Sequence, residues 1–409
     1  MLRKLYDYIH TNGFCNLHYF KIMKRQHLLL LASVLFLFSS CHVGRFFYWN
    51  FADTGDLNRF KSVPIKKGDS PFYFKEAPQD GVVPSTTTYK KKTSVPFDEM
   101  LEKSGTTAFI VIKDDHILYE RYFDNYTKAT NHPSFSVSKS FISALIGIAI
   151  EEGHINSLDD PIRKYLPELD TSFDLVTLDH VINMQSGIKF SEGYFNPFGE
   201  VAKFYYGTNL KKYVKRLKVN ETPGEAWKYK SGNTQLLSLA LESATKRSLQ
   251  DYFQEKIWQP LGMEYDASWN IDSKKNKTTK AFCCLNARAR DYAKFARLYL
   301  HQGNWNGKQI VPKDWVIKTT SFTDSTSKYA YSHHWWRNLS IKELRNSFKN
   351  PSASTIKGAK APHTDYQARG ILGQFMYIHP EKEIAIIRLG NKFGGVNWPS
   401  IFRDIAEMN

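Results

Sequence analysis

One segment constrains this chain more than any other. Residues 137–152, VSKSFISALIGIAIEE, are apolar almost all the way round a helix and end at Gly153. Such a helix has no solvent face, so other elements must cover every side of it, and the glycine supplies its C-terminal stop. A helix buried in this way needs a large domain around it. The 409 residues suffice for two ordinary domains or one large domain with an inserted lobe. A content of 42% hydrophobic and 23% charged residues is that of a soluble globular protein. It argues against a disordered chain, a collagen-like fibre and a multi-spanning membrane protein.

Strand signals lie toward the two ends and helix signals between them. TAFIVIKDDHILYERYF (107–123) reads as two β-runs around Asp114-Asp115, a hairpin. QFMYIHPEKEIAIIRLGN (374–391) reads as a second hairpin turning at Pro380-Glu381-Lys382, and a last helix is predicted over 398–407. Helical patterns recur at 176–184, 200–217, 233–246, 248–258 and 287–301. This order predicts an α+β fold: a single antiparallel sheet built from the N- and C-terminal segments, with a large inserted helical lobe. Residues 42–90 are aromatic, polar and turn-rich, and the reading is a tether and packing arm over 41–94 before a domain at 95–409.

The N-terminus carries a targeting pattern. In KRQHLLLLASVLFLFSSC (24–41) a basic start precedes the apolar run Leu28–Phe38, then Ser39-Ser40 and Cys41. The run is shorter than the roughly 20 residues of a membrane span and has the layout of a secretory signal. Cysteine directly after small residues resembles the lipobox of bacterial lipoproteins. This resemblance implies a signal region over 1–40, lipid attachment at Cys41 and an anchored or periplasmic envelope protein. Met23 sits just before the basic start, so translation is expected to begin there. Removing residues 1–40 takes away five basic residues and one acidic one, lowering the formal charge from +16 to +12. With Cys41 lipid-modified, only Cys283 and Cys284 then remain as free thiols, and because sequence neighbours rarely bridge, no structural disulfide is expected.

The positive charge clusters at Lys90–Lys92, Lys211–Lys218 and Lys274–Lys280. In the second cluster Leu210, Val214 and Leu217 share one helical face, so the basic residues form its solvated side. No nucleic-acid motif accompanies any of them, and no nucleic-acid partner is expected. His333-His334 and Cys283-Cys284 lack metal-ligand spacing, and neither a metal nor a cofactor is expected. Trp335-Trp336 reads as core, with a cleft floor as the alternative.

The chemistry rests on three short elements. Ser136-Val137-Ser138-Lys139 is one of five S-x-x-K matches, the others beginning at Ser186, Ser243, Ser325 and Ser354, but only Ser136 opens a long apolar helix. Residues three apart share a helix face, so Lys139 can reach the Ser136 hydroxyl. Burial lowers a lysine pKa and lets a neutral amine take the serine proton, as an activated nucleophile requires. Tyr229-Lys230-Ser231 stands just before a second apolar helix, where a tyrosine near a cation can relay a proton. In ARGILGQFMYIHPEKEIAIIRLG (368–390), Gly370 and Gly373 precede a hairpin, where backbone N–H groups can approach a reacting carbonyl.

In this order and spacing the three elements resemble the serine β-lactamase and penicillin-binding protein superfamily. The match is to its class C-like branch, which includes esterases, D-aminopeptidases and 6-aminohexanoate-dimer hydrolases. VTLDHVINMQSGI (176–188) and LNARARDYAKFARLYL (285–300) resemble flanking stretches of that branch, and PGEAWKYKSGNTQLL is most similar to the 6-aminohexanoate-hydrolase type. The resemblance covers about residues 95–405. It implies an acyl-enzyme on Ser136, with Lys139 as proton acceptor, Tyr229 as acid/base partner and Ser231 as the polar third member of Y-x-S. It implies an oxyanion hole from the backbone N–H groups of Ser136 and Gln374, beside Gly373. The substrate would be a small-molecule or peptide-like amide or ester.

One departure stands out. The family's third motif usually begins with Lys or His, and here the aligned triplet is Ile371-Leu372-Gly373. That cation often recognises a substrate carboxylate, so its absence leans away from β-lactams and carboxypeptides; Arg369 or His363 are the candidate substitutes. A D-peptidase or transpeptidase and a non-catalytic binding protein are the competing readings. Glu192-Gly193-Tyr194-Phe195-Asn196 mimics an E-x-x-x-N motif in the wrong chain order, so Glu192 reads as a loop residue that may at most line the cleft. Gly68-Asp69-Ser70 reads as a turn, and the absence of G-x-S-x-G argues against an α/β-hydrolase elbow.

Overall fold

The computed structural model describes residues 42–321, 330–339 and 364–409. The signal region, Cys41, His363, Ser325 and Ser354 lie outside the described residues. Eight strands form the large sheet: β1 (Lys75–Glu76), β2 (Thr106–Lys113), β3 (His116–Tyr122), β4 (Tyr331–Ser332), β5 (Trp335–Arg337), β6 (Tyr366–Gly370), β7 (Gln374–His379) and β8 (Ile384–Gly390). Their spatial order is β4-β5-β6-β7-β8-β2-β3-β1, antiparallel except for β1 beside β3. The two ends of the chain meet where β8 pairs β2, Ile387 opposite Ile110.

Both predicted hairpins are present. Asp114 and Asp115 both take positive φ (49° and 61°), as the two central residues of a tight hairpin turn require. Within strand β2, residues 108–112 are all apolar because both faces are covered there. Ala108, Ile110 and Ile112 point into the core beneath the helical lobe, and Phe109 and Val111 into a second core. That second core is closed by the Trp398–Met408 helix through Trp398, Phe402 and Ile405.

The helical lobe follows the predicted pattern with two refinements. The apolar helix runs Ser138–Glu151, with Phe141 through Leu145 and Ile146 fully buried. The 200–217 pattern is two helices, Glu200–Tyr206 and Leu210–Val214, because the chain at Gly207 packs too tightly on Lys203 and Tyr213 for a Cβ. Asn209 then caps the second, accepting from the Lys212 N–H (3.0 Å). Likewise the 248–258 pattern is a short Leu249–Phe253 helix that widens into a π turn at Gln254–Trp258. Lys280, at the end of the third basic run, is fully buried with its ammonium over the Phe60 ring and donating to the Tyr205 carbonyl (2.6 Å).

The N-terminal arm does more than tether. Its first helix, His42–Trp49, packs on the Glu200–Tyr206 helix, with Phe46 edge-on to Tyr206. Ser62–Ile65 then pairs with Ala267–Asn270 in a second sheet that continues through Leu285–Ala287 to His132–Pro133. Cys283 and Cys284 correct the sequence expectation: they are joined as a disulfide between neighbours. Their Cα atoms are 3.7 Å apart, the ordinary spacing across one trans peptide, and Cys284 takes φ 75°.

Arg388 on β8 is the unusual core residue. It is fully buried and its guanidinium lies over the Trp398 ring. It donates to the carbonyls of Leu372 (3.2 Å), Gly373 (2.6 Å), Ser104 (3.2 Å) and Lys392 (3.0 Å), and to Thr106 Oγ1 (3.1 Å). Burial pushes its pKa down to about 9. It pins the turn after β6 to the sheet. Arg388→Met leaves those buried carbonyls without donors and is expected to cost on the order of 3 kcal/mol, read as a lower urea midpoint at unchanged m-value.

Candidate active site

Two sheets and one helix converge on Ser136. The small sheet delivers the chain to it: the Ser134 N–H donates to the Leu285 carbonyl (2.7 Å). Phe135 then takes φ 43°, a left-handed conformation that a bulky side chain rarely adopts and that marks stored strain beside the nucleophile. Ser136 lies in the single helical turn Phe135–Val137 that leads into the Ser138–Glu151 helix. It is half-buried, whereas Lys139 one turn on is buried.

Lys139 is the hub. Its Nζ donates to Ser136 Oγ at 3.0 Å, to Ser231 Oγ at 3.3 Å and to the Phe282 carbonyl at 2.8 Å. The Phe282 carbonyl comes from the turn that holds Cys283 and Cys284. Burial lowers the Lys139 pKa to about 8, against an opposing pull from Glu192. A substantial fraction of the amine is therefore neutral near pH 8, as a general base must be.

Tyr229 closes the other side. Its hydroxyl is hydrogen-bonded with Ser136, its ring lies 5.1 Å from Lys139 Nζ, and Trp336 stacks on it at 5.8 Å. A cation-lowered phenol is the sequence expectation, and here the structure differs. Arg369 does pull the pKa down, but burial of the hydroxyl and then Glu192 push it well above the ordinary tyrosine value. Tyr229 is a protonated donor at neutral pH. The adjacent tryptophans divide their roles: Trp335 is fully buried core, and Trp336 faces the cleft against Tyr229 and Trp227.

Glu192 enters the site unexpectedly. One carboxylate oxygen accepts from Ser231 Oγ (2.6 Å) and the other from the Ser231 N–H (2.7 Å), at the start of the Ser231–Thr245 helix. An acid there satisfies free N–H groups and complements the helix dipole. Tyr194 donates to the same carboxylate (2.9 Å). Nothing local to S-E-G-Y signals this role; the contact spans 39 residues of chain.

The third motif is placed differently from its alignment. Gly373 and Gln374 turn toward β8: Gln374 Nε2 donates to the Gly390 carbonyl (2.6 Å), and Gly373 packs on Arg388. The segment that meets the nucleophile is the end of β6. A Cβ on Gly370 would lie 2.7 Å from the Ser134 carbonyl and 3.2 Å from Phe135 Cβ, so only glycine fits there. Ile371 and Leu372 follow and line a cavity together with Ser136 and Ser231. Arg369 is held between Trp336 (5.5 Å) and Phe375 (5.6 Å), and burial lowers its pKa to about 10.

Comparison with known proteins gives the family of the chain. The Beta-lactamase family model matches residues 97–408. The chain belongs to that family and is a serine hydrolase. A curated 6-aminohexanoate-dimer hydrolase from Paenarthrobacter ureafaciens is 25% identical over 377 residues, covering 86% of this chain and 85% of that protein. Teichoic acid D-alanine hydrolase from Staphylococcus aureus is 27% identical over 166 residues, 39% of either chain. Among solved structures, a Bacillus anthracis protein provisionally named 6-aminohexanoate-dimer hydrolase superposes with a TM-score of 0.73 at 24% identity, covering 88% of this chain and 93% of that one. A penicillin-binding protein from Bacillus halodurans gives 0.58 at 16% identity, covering 76% and 99%. Both share the β-lactamase/transpeptidase-like fold.

The pH dependence follows from Lys139. With its pKa at about 8, the amine is mostly protonated at pH 6 and mostly free at pH 9. The expected kcat/KM for an uncharged substrate rises about tenfold per unit at low pH and levels near pH 8. Lys139→Ala is expected to lower the plateau by about 10² to 10⁴ and to remove this inflection; a flat wild-type profile between pH 6 and 9 contradicts the assignment.

Proposed function

We propose that the enzyme hydrolyses an amide or ester bond through an acyl-enzyme on Ser136. The observation that carries this reading is the placing of Lys139 Nζ 3.0 Å from Ser136 Oγ, with the Tyr229 hydroxyl on the same oxygen. Neutral Lys139 takes the Ser136 proton as Oγ bonds to the carbonyl carbon. The backbone N–H groups of Ser136 and Ile371 receive the oxyanion. Ile371 is preferred to Gln374 in this role because it follows Gly370, whose backbone packs against Ser134 and Phe135, and lines the cavity beside Ser136. Tyr229 donates its proton to the departing nitrogen or oxygen as that bond breaks, and recovers one from Lys139. Water then adds to the acyl carbon, Ser136 regains its proton, and the acid leaves. The name of the Paenarthrobacter relative supports an amide as one substrate class.

A fluorophosphonate probe is expected to label Ser136 alone, with Tyr229→Phe slowing ester turnover by about 10² to 10⁴ and Ser136→Ala abolishing it. Unchanged turnover in Ser136→Ala would refute the proposal. Stable acylation by a β-lactam without release would favour a D-peptidase instead.

For location, the proposal is an envelope lipoprotein anchored at Cys41. The lipobox-like pattern supports it, and among the described residues no helix is long and apolar enough to cross a membrane. Cys41→Ser is expected to move the protein from the membrane pellet to the soluble fraction. Retention in the pellet would rule out this anchor.

A further inference from the structure

Beside Ser136 lies a cavity of about 230 Å³. Its lining is almost wholly apolar, and none of the residues lining it carries a charge. Several parts of the chain build it. Phe46 and Phe51 come from the N-terminal arm, Val201 and Ala202 from the helix beneath that arm, and Ile371 and Leu372 from the turn after β6. At the mouth, Phe51 meets Phe195 edge-on at 4.9 Å, although Phe195 is 79% exposed.

From this geometry we infer that the cavity is the acyl pocket, and that the substrate is an amide or ester of an uncharged, medium-chain apolar acyl group. The inference rests on Ser136 being the nucleophile. The cavity shares Ser136 with the catalytic cluster and adjoins Ile371, where the carbonyl oxygen is held, so a chain attached to that carbonyl enters it directly. An ammonium at the far end of such a chain would exchange its hydration for aromatic faces, whose cation–π attraction is less than the hydration lost, and a carboxylate would find no cation among the lining residues. A methylene gains by the same burial.

The test is a series of p-nitrophenyl esters with acyl groups from acetyl to dodecanoyl, beside acetate esters of alcohols of matching length. The expected kcat/KM rises with acyl length by up to about fourfold per methylene and levels near hexanoyl to octanoyl. Hexanoyl is expected to exceed 6-aminohexanoyl at least 100-fold. Ala202→Trp narrows the cavity and is expected to move the optimum to shorter chains, with circular dichroism confirming the fold. Phe195→Ala changes an exposed rim residue and is expected to weaken the preference for long over short acyl groups. A flat acyl series, a preference for 6-aminohexanoyl, or a rise confined to the alcohol series would overturn the inference while leaving the nucleophile intact. Hydrolysis that survives Ser136→Ala would instead remove the catalytic reading beneath it.

Discussion

Everything in the site depends on keeping one lysine ammonium poorly solvated. Lys139 is buried at the junction of the Ser138–Glu151 helix, the Ser231–Thr245 helix and the Phe282 turn. Each supplies one oxygen acceptor, so the charged form is tolerated but not favoured. More polar contacts would hold the proton; fewer would expel the side chain. Burial lowers the pKa to about 8 against the pull of Glu192, and the three contacts bring distant segments of sequence together around one amine.

The fold serves that balance. The large sheet closes by pairing the first hairpin with the last, and its strand β6 contacts the Phe135–Val137 turn. Arg388 holds the turn after β6 through the Leu372 and Gly373 carbonyls and ties it to Ser104 and Lys392, and Gly370 lets β6 approach the strained Phe135 backbone. Glu192 ties the 189–199 loop to the second catalytic helix and opposes the depression of the lysine pKa. The arm at 42–65 completes the structure by walling the cavity beside the nucleophile.

Much of this was legible in the sequence. The uniformly apolar 137–152 stretch predicts a buried helix, and Ser136 and Lys139 follow from its start. The β-runs at 107–123 and 374–391 predict the two hairpins that meet in the sheet. Local patterns fail where tertiary contacts decide. Glu192 looks like any loop acid until a residue 39 positions away is brought to it. The raised Tyr229 pKa reflects desolvation by the assembled cleft, which outweighs the nearby cations. Gly373 fits the motif spacing better than Gly370, but spacing does not report which strand meets the serine. The Cys283–Cys284 bond depends on a left-handed turn that no neighbouring residue signals.

The most direct test of the central claim is the ionisation of Lys139 itself. In protein carrying ¹⁵Nζ-labelled lysine, with the resonance assigned by its loss in Lys139→Met, the amine is followed by NMR against pH. The account predicts that the resonance assigned to Lys139 titrates at about 8. Titration of Lys139 at the ordinary lysine value of 10.5 would contradict it, because the serine would then face a permanent cation in place of a base.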